Sequence, residues 1–360
     1  MGIAEVLREA GYKKPKRPTS PVWAGPCDHG PNGGVTFSLL SQFLACRERF
    51  RLLVIEGLQP VDALNQRLEF GTMWHACEEA LAKKQPWLSP LQNYALALCR
   101  KYPLQQEQAR HLHEVCRTMF PVYIEHWATH PDVINRIPLL QEYVFDVPYA
   151  LSSRRKVRLR GKWDSVDVIG GEGIYLQENK SKSEINPVKV RRQLNFDLQT
   201  MFYLTALYLS VDVVAAEGLP RGVRYNVVRR SAHRQGKKET AEEFSRRLAE
   251  LARASPDEWF ARWKVKITSS DVAKFRRECL DPILRQLCNW WDWVSGWRRT
   301  KGKTNRFDHV AGLHWRHPFG VHNPLDEGGF SDLDECLASG SELGLQHTDR
   351  LFKELDPCQE

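Results

Sequence analysis

Residues 159–182 read LRGKWDSVDVIGGEGIYLQENKSK, and the fold of the whole chain follows from this stretch. Its alternating apolar and polar residues predict two β-strands, at 156–169 and 174–180. The glycine-rich segment at 170–173 between them is typical of a tight hairpin turn. Segments with a helical spacing of apolar residues come before and after it. The pattern therefore predicts an α/β protein with this hairpin in its central sheet.

Three charged side chains of the hairpin, Asp164, Glu178 and Lys180, predict a catalytic pocket. Glu178 and Lys180 are two positions apart on one strand, so their side chains share a face, and the hairpin can bring Asp164 opposite them. Two carboxylates in one pocket repel each other unless a cation lies between them, and oxygen ligands suit Mg²⁺ or Mn²⁺. The lysine can act on an attacking water or stabilise negative charge on phosphorus. This is a metal-dependent nuclease centre in outline.

The same three residues also have a simpler interpretation. Acidic and basic side chains on a hairpin are commonly solvated ion pairs, and a D…ExK pattern arises by chance in many sequences. The hairpin alone leaves both interpretations open.

The composition favours a polyanionic partner. The chain of 360 residues has a formal net charge of +8, which attracts nucleic acid without distinguishing DNA from RNA. Its nine cysteines form no CxxC pair and no signal peptide is evident, so we expect a reducing cytoplasm. No apolar run is long enough to cross a bilayer, which predicts a soluble protein without a membrane partner. No P-loop is present, so we do not expect ATP use.

Helices are predicted on both sides of the hairpin. Thr36 or Ser38 is expected to cap a helix that runs through 37–53. A second helix is expected to open near Phe70 and to carry His75, which by itself is more typical of a structural histidine than of a metal ligand. Residues 89–128 and, in the main, 240–294 are also predicted to be helical.

A further helix is predicted at 188–209, after Pro187. One continuous helix would place Arg192, Gln199 and Tyr203 along one edge. Such side chains can contact a phosphate backbone or position a base, although an ordinary amphipathic helix has the same polar edge. We expect the chain to be organised in five segments: a flexible arm at 1–35, a helical subdomain at 36–135 with His75, a nuclease core at 136–235, a helical extension at 236–300 and an irregular region at 301–360.

The order of these segments resembles the PD-(D/E)xK nuclease superfamily, and within it the RecB-like branch of CRISPR-associated adaptation nucleases and phage exonucleases. Four motifs carry the resemblance across about 36–230. They are G-x-x-x-H at Gly71 and His75, a G…D strand at Gly161 and Asp164, (D/E)-x-K at Glu178, Asn179 and Lys180, and Q-x-x-x-Y at Gln199 and Tyr203. The fold implied is a mixed central sheet flanked by helices, with an N-terminal helical subdomain and a C-terminal helical extension.

The resemblance implies a role for each motif residue. Asp164, Glu178 and Lys180 would be catalytic. A Mg²⁺ or Mn²⁺ ion would be bound by His75, Asp164, Glu178 and the backbone carbonyl of Asn179. The DNA strand would be contacted by Gln199, Tyr203, Arg192 and Lys182.

The cysteines depart from the pattern of many RecB-like enzymes, which hold an iron–sulfur cluster with one cysteine before the core and three near the C-terminus. Cys46 fits the first position, but only Cys336 follows Cys288 before the last few residues, where Cys358 lies. A cluster would then need Cys279, Cys288 or Cys358 at unsuitable spacing. The sequence therefore predicts a member without an iron–sulfur cluster.

The resulting hypothesis is a Mg²⁺- or Mn²⁺-dependent deoxyribonuclease, an exonuclease in recombination, repair or phage replication, acting on single strands or duplex ends. A helicase or a recombination protein is a possible partner. One alternative is a catalytically silent nuclease-fold subunit of a helicase–nuclease complex, and another is a basic nucleic-acid-binding adaptor. The intact set of Asp164, Glu178 and Lys180 disfavours the silent subunit.

Overall fold

The structure is a computed structural model that describes residues 21–60, 64–195, 197–210, 212–213 and 218–301, and near the C-terminus 336, 342, 344–352 and 355. The side chains at 48, 191, 193–195 and 293–301 are not described. Most of the expected arm at 1–35 and of the irregular region at 301–360 therefore lies outside the described residues.

The chain forms two compact units, and each is discontinuous in sequence. The first unit comprises Met1–Asp62, Asp146–Gly161 and Cys279–Glu360, and the second comprises Ala63–Phe145 and Lys162–Glu278. The five segments expected from the sequence remain a prediction. The residues expected to be catalytic all belong to the second unit.

Helices and strands alternate along the described chain. The helices are α1 (Phe37–Ala45), α2 (Arg47–Phe50), α3 (Gln66–Ala82), α4 (Leu88–Lys101), α5 (Gln106–Trp127), α6 (Pro131–Ile134), α7 (Pro187–Asn195), α8 (Leu198–Leu209), α9 (Ala241–Ala254), α10 (Ser269–Phe275) and α11 (Asp281–Lys301). Two π-helical turns, Arg51–Ile55 and Arg276–Leu280, and two 3₁₀ turns, Pro103–Gln105 and Pro256–Glu258, connect some of them. The strands are β1 (Leu58–Pro60), β2 (Arg136–Ser152), β3 (Arg155–Ile169), β4 (Gly173–Lys182), β5 (Gly222–Arg229), β6 (Phe260–Lys266) and β7 (Leu345–His347). No helix in the described part of the chain is long and apolar enough to span a membrane.

A mixed five-stranded sheet with the order β2-β3-β4-β5-β6 confirms the predicted fold class. β4 pairs antiparallel with β3 and parallel with β5, while β5 and β6 are antiparallel. β5 (GVRYNVVR) is buried along all but its last residue, and its buried residues include the polar Arg224 and Asn226. β4 therefore occupies the middle of the sheet, with a neighbour on each side.

The predicted hairpin is confirmed. β3 and β4 are joined at 170–172, and their register pairs Ser165 with Gln177 and Ile169 with Gly173. Gly171 and Gly173 have φ angles of 77° and 99°. Only glycine adopts such left-handed conformations without a steric cost, which explains the glycine-rich turn.

Several predicted helices are shorter than the sequence suggested. The helix expected at 188–209 is wrong as a single element, because α7 and α8 are separate and Asp197 precedes α8 in an extended conformation. The helix expected at 37–53 is interrupted at Cys46, whose φ of −161° is extended, and 89–128 is interrupted at Pro103. Thr36 is the cap of the first helix, since its side chain accepts a hydrogen bond from the Leu39 N–H.

The strand β6 was missed, since 240–294 was expected to be mainly helical. Its sequence FARWKVK has the alternation of a strand, but it is only seven residues long and lies among helical segments. Pairing with β5 supplies backbone hydrogen bonds that a short segment cannot supply alone.

The core of the second unit is aromatic and lies between α3, α4, α5, α9 and the sheet. The Trp74 ring meets Phe120 and Tyr123 edge-on at 5.1 and 5.4 Å and stacks on Phe70. These residues are at most 3 % exposed. Aromatic contacts of this kind fix the helix that bears Trp74, and His75 is the next residue on it.

The first unit has its own aromatic cluster. Trp290 is buried and packs edge-on against Phe43 and Phe50 at 5.8 and 5.4 Å. Trp290 is therefore a core residue of the first unit. The side chains of Trp293 and Trp297 lie outside the described residues.

Candidate active site

His75 is placed beside two carboxylates by α3. This helix begins after Asn65, whose side chain accepts hydrogen bonds from the N–H groups of Arg67 and Leu68. Phe70, Met73 and Trp74 are buried on the helix, whereas the His75 side chain remains 28 % exposed. Its Nδ1 lies 3.4 Å from Oε1 of Glu142 and 3.5 Å from Oδ1 of Asp164.

The pKa of His75 reflects these neighbours. Burial by itself lowers the pKa, but the negative charges of Asp164, Glu142 and Glu178 outweigh it and raise the pKa to about 9. The negative charge that favours the protonated form of His75 would also favour a bound cation at this position.

Asp164 lies on β3 and is held by the neighbouring strand. Its Oδ2 accepts a 2.7 Å hydrogen bond from the backbone N–H of Asn179 on β4. Burial raises the pKa of Asp164 to about 7, and the nearby charges of Glu178 and Glu142 act in the same direction, while His75 lowers it. Carboxylates that repel one another in a buried site gain most from a bound cation.

Glu178, Lys180 and Gln199 form a second group on β4 and α8. The Lys180 ammonium donates hydrogen bonds to Oε1 of Glu178 at 2.7 Å and to Oε1 of Gln199 at 2.8 Å. Burial lowers the pKa of Lys180, but the charge of Glu178 raises it more, so the net shift is upward. The ammonium form of Lys180 is therefore favoured.

Glu178 retains one oxygen that fits a cation. The side chain is 3 % exposed, and its Oε2 has no hydrogen-bond partner among the described residues. A buried carboxylate oxygen without a partner is energetically unfavourable, and a metal ion would supply the missing interaction. Together with Asp164 and His75, Glu178 provides the oxygen and nitrogen donors that suit a hard divalent cation.

Glu142 is a site residue that the sequence reasoning missed. Its ligand atoms and those of His75 and Asp164 all lie within 4.8 Å of one another. Its other oxygen, Oε2, forms a 2.5 Å ion pair with Lys162. None of the four motifs covers β2, so position in a motif gave no signal for Glu142.

The residues expected to contact DNA lie on β4, α7 and α8. Gln199 touches Lys180, as described above, and the Tyr203 carbonyl accepts a 3.2 Å hydrogen bond from the Trp163 indole while its ring packs against Phe145. Lys182 ends β4 and is half-buried, and Arg192 is exposed on α7. The shared edge expected of Arg192 and Gln199 assumed one continuous helix, and that helix is wrong, because α7 and α8 are separate.

The geometry agrees with a comparison against known families. The model of the PD-(D/E)XK nuclease superfamily matches residues 35–290. The chain belongs to this superfamily. The match includes His75, the β3–β4 hairpin and α8, and no curated protein matches the chain.

Membership in the PD-(D/E)XK superfamily implies a nuclease, that is, a hydrolase of phosphodiester bonds with nucleic acid as its substrate. Nucleases of this superfamily use divalent metal ions, and the donors around Asp164 fit one. The solvated-ion-pair interpretation of the hairpin is wrong for Asp164 and Glu178, because both carboxylates are largely buried.

Proposed function

We propose that the chain is a Mg²⁺- or Mn²⁺-dependent deoxyribonuclease whose centre consists of Asp164, Glu178 and Lys180. One observation carries the proposal. Two buried carboxylates lie on adjacent strands, one of them has an oxygen without a partner in the part of the chain that the structure describes, and an ammonium group adjoins them. A solvated surface hairpin has no reason to bury this charge, whereas a metal-dependent hydrolase requires it.

In this proposal His75, Asp164, Glu178 and the carbonyl of Asn179 hold the cation. A bound divalent ion would make water more acidic and offset negative charge on the phosphate. The hydrogen bond from the Asn179 N–H fixes one oxygen of Asp164, so the carboxylate is oriented before a metal arrives.

Lys180 contributes positive charge to the transition state. The upward shift of its pKa supports this role over that of a general base, because a base must be deprotonated near neutral pH. Gln199 accepts a hydrogen bond from the same ammonium group and so restrains it near Glu178. The sequence left these two roles of the lysine open.

The nucleic-acid strand is proposed to follow a basic group next to Lys180. Lys182 ends β4, and its carbonyl accepts a 2.7 Å hydrogen bond from the Arg230 N–H just beyond β5. Burial and then the charge of Arg67 lower the pKa of Arg230, while burial and then the charge of Lys180 lower that of Lys182. Positive groups that crowd each other in this way are stabilised by an anion such as a backbone phosphate.

We also assign Tyr203 and Arg192 to the proposed path of the nucleic-acid strand past Lys182. The choice of DNA as substrate, the exonuclease activity and a role in recombination, repair or phage replication rest on the RecB-like resemblance. A helicase partner has the same basis. The silent-subunit alternative is disfavoured because Glu178 and Lys180 are paired and Asp164 is in place.

A cleavage assay tests the proposal. Purified protein is incubated with end-labelled linear and covalently closed circular DNA, with Mn²⁺, Mg²⁺ or EDTA. We expect metal-dependent degradation of the linear DNA only, and loss of that degradation in Lys180→Ala. Lys83→Ala is the matched control, since Lys83 is 45 % exposed and pairs only with Glu79 among the described residues.

The outcomes separate the candidate functions. Cleavage of the circular DNA would show an endonuclease. Labelled RNA, tested in parallel, shows whether the protein cleaves RNA as well as DNA. DNA binding without cleavage by the unmodified protein, in every metal, contradicts the enzyme and favours the adaptor or the silent subunit.

A further inference from the structure

Glu142 has an unusual backbone conformation for its place in the fold. It lies within β2, yet its φ angle is +48°, and it is one of two non-glycine residues with positive φ in the described chain. A left-handed residue inside a strand is energetically unfavourable for any side chain with a Cβ, and it persists only where the surroundings fix it.

The preceding residue, Gln141, is fixed by a polar network. Its Nε2 donates to Oγ of Ser165 at 2.6 Å, to the Leu140 carbonyl at 2.7 Å and to Oδ1 of Asp167 at 3.3 Å. Asp167 is fully buried and is paired with Arg224 at 2.6 Å. The network restrains β2 immediately before the residue that takes the left-handed conformation.

The two oxygens of Glu142 have different partners. Oε2 is held by the Lys162 ammonium, whereas Oε1 lies 3.4 Å from Nδ1 of His75. The side chain is 12 % exposed. One oxygen is thus restrained by an ion pair, and the other lies among the atoms of the candidate metal site.

We propose that Oε1 of Glu142 is a further ligand of the divalent cation, in addition to His75, Asp164 and Glu178. This inference rests on the proposed function, because it concerns the same cation. The four side chains come from α3, β2, β3 and β4, so the cation would join a helix to three adjacent strands of the sheet.

A second observation points to the same cation. Oε2 of Glu178 is buried without a partner among the described residues, and the charge of Glu178 acts on both His75 and Asp164. The charge of Glu178 therefore acts on two of the three residues that form the group with Glu142. A shared cation satisfies Glu178 and separates it from the other carboxylates.

The charges of the pocket also favour this assignment. Asp164, Glu178 and Glu142 supply three carboxylates, and among the described residues the ammonium groups that contact them are those of Lys180 and Lys162. A histidine that binds metal must be neutral, and with His75 neutral the carboxylates are in excess, so a single divalent cation reverses that excess. Without Glu142, the two lysines would already balance the two remaining carboxylates, and attraction for a cation would be weaker.

Calorimetric titration with Mn²⁺, on protein without nucleic acid, tests the assignment. We expect Glu142→Gln to weaken Mn²⁺ binding by roughly 10- to 100-fold, comparable to the losses known for groups that orient metal ligands. Glu172→Gln is the matched control: it removes one negative charge from the same unit, at the turn of the hairpin, where Glu172 pairs with Lys264. We expect its Mn²⁺ affinity to equal that of the wild type.

A second measurement distinguishes a residue that binds the metal directly from one that acts on it only through its charge. Pulsed electron paramagnetic resonance of the Mn²⁺ complex in D₂O counts bound water molecules. We expect one more bound water in Glu142→Ala than in Glu172→Gln, because alanine removes both oxygens, whereas a glutamine amide oxygen can itself bind a cation, and a water takes the vacated position. Loss of affinity without the additional water overturns the proposal, since Glu142 would then act through its charge alone.

Asp164→Asn in the same titration distinguishes this inference from the proposed function. If the wild type binds Mn²⁺, Asp164→Asn loses it and Glu142→Gln binds as tightly as the wild type, the inference is wrong and the function stands. If the wild type binds no Mn²⁺, both are wrong. If Glu142→Gln or Glu142→Ala does not fold, Glu142→Asp replaces it, because its carboxylate is one methylene shorter and should show the same loss of affinity and gain of water.

Discussion

The backbone N–H of Asn179 donates a 2.7 Å hydrogen bond to Oδ2 of Asp164. This bond joins the second strand of the hairpin to the carboxylate of the first, and Oδ1 of Asp164 then lies 3.5 Å from Nδ1 of His75. Each oxygen of Asp164 thus has a separate neighbour, so the position of the carboxylate is set by the backbone rather than by a flexible side chain. Substitutions at Asp164 need to preserve this acceptor if they are to report on charge alone.

Asp164→Asn is expected to abolish cleavage and to stabilise the metal-free protein. The asparagine oxygen can still accept the Asn179 hydrogen bond, while the buried negative charge is removed. We expect an increase in the free energy of unfolding of about 1 kcal/mol in EDTA near pH 8, because a raised carboxyl pKa represents a cost of ionisation in the folded state. Thermal and urea unfolding in EDTA measure this. Wild-type cleavage by Asp164→Asn would contradict the active-site assignment.

The stability of the metal-free wild type is expected to fall as the pH rises. Burial raises the folded pKa of Asp164 from 3.8 to about 7, so the stability present below pH 4 is lost as the pH rises towards 7. The carboxylates raise the pKa of His75 from 6.5 to about 9 against the effect of burial. The stability that the protonated histidine contributes is therefore lost as the pH rises from 6.5 to about 9. We expect the difference in melting temperature between wild type and Asp164→Asn to grow from pH 5 to pH 9 in EDTA. A pH-independent difference would contradict it.

Gln199→Ala is expected to slow cleavage without changing Mn²⁺ affinity. Gln199 contacts the Lys180 ammonium at 2.8 Å and is not among the proposed ligands. A hydrogen bond to a charged group contributes about 1.5–3 kcal/mol, so we expect roughly a 10-fold or larger decrease in rate. Single-turnover cleavage and Mn²⁺ calorimetry check the two expectations. Loss of metal binding in Gln199→Ala would show that the residue belongs to the metal site.

Gly71→Ala is expected to change stability and activity in opposite directions. Gly71 lies in α3, one turn before His75, and an added Cβ would meet only Oγ of Ser181, at an ordinary 3.6 Å. Alanine should therefore stabilise the helix by about 0.5–1 kcal/mol. If the nucleic acid passes this surface, the added methyl slows cleavage and weakens binding. Urea unfolding and cleavage kinetics measure both, and a destabilised variant would contradict the packing argument.

Arg230→Ala is expected to lower the salt dependence of DNA binding. Each phosphate contact adds about one unit to the slope of log K against log salt, so loss of one contact should reduce the slope by about 1. Arg253→Ala is a suitable control, because Arg253 is 51 % exposed and pairs with Glu125 on α5. Fluorescence anisotropy at several salt concentrations, in EDTA, gives the slopes. Equal slopes for the two variants would show that Arg230 does not contact the phosphates of the nucleic acid.

Protein purified without oxygen is expected to be colourless and free of stoichiometric iron. Cys46 is buried and accepts a hydrogen bond from the Arg49 N–H at 3.5 Å, and burial raises the pKa of Cys288 to about 11, which disfavours its thiolate. Cys46→Ser should lower the free energy of unfolding by only about 1 kcal/mol and leave cleavage intact. A brown preparation whose visible absorption is lost in Cys46→Ser would contradict this prediction and show an iron–sulfur cluster that depends on Cys46.

The sequence by itself determined the β3–β4 hairpin and the pair of Glu178 and Lys180 on it. These features are local: two-residue alternation fixes which side chains share a face, and glycines at 171 and 173 permit the turn. The helix cap near residue 37 is local in the same sense, but the sequence left it open between Thr36 and Ser38, and the structure shows that it is Thr36. The order of the motifs then indicated the superfamily that the 35–290 match shows.

Only the tertiary structure decided that Glu142 lies beside His75 and Asp164, and that α7 and α8 are separate helices. Glu142 reaches His75 from a strand 67 positions later in the chain, and its left-handed conformation depends on a network around Gln141. The contact of Gln199 with Lys180 likewise joins α8 to β4. Such contacts arise from packing between elements distant in sequence, and periodicity within an element carries no information about which of its polar residues will meet another element.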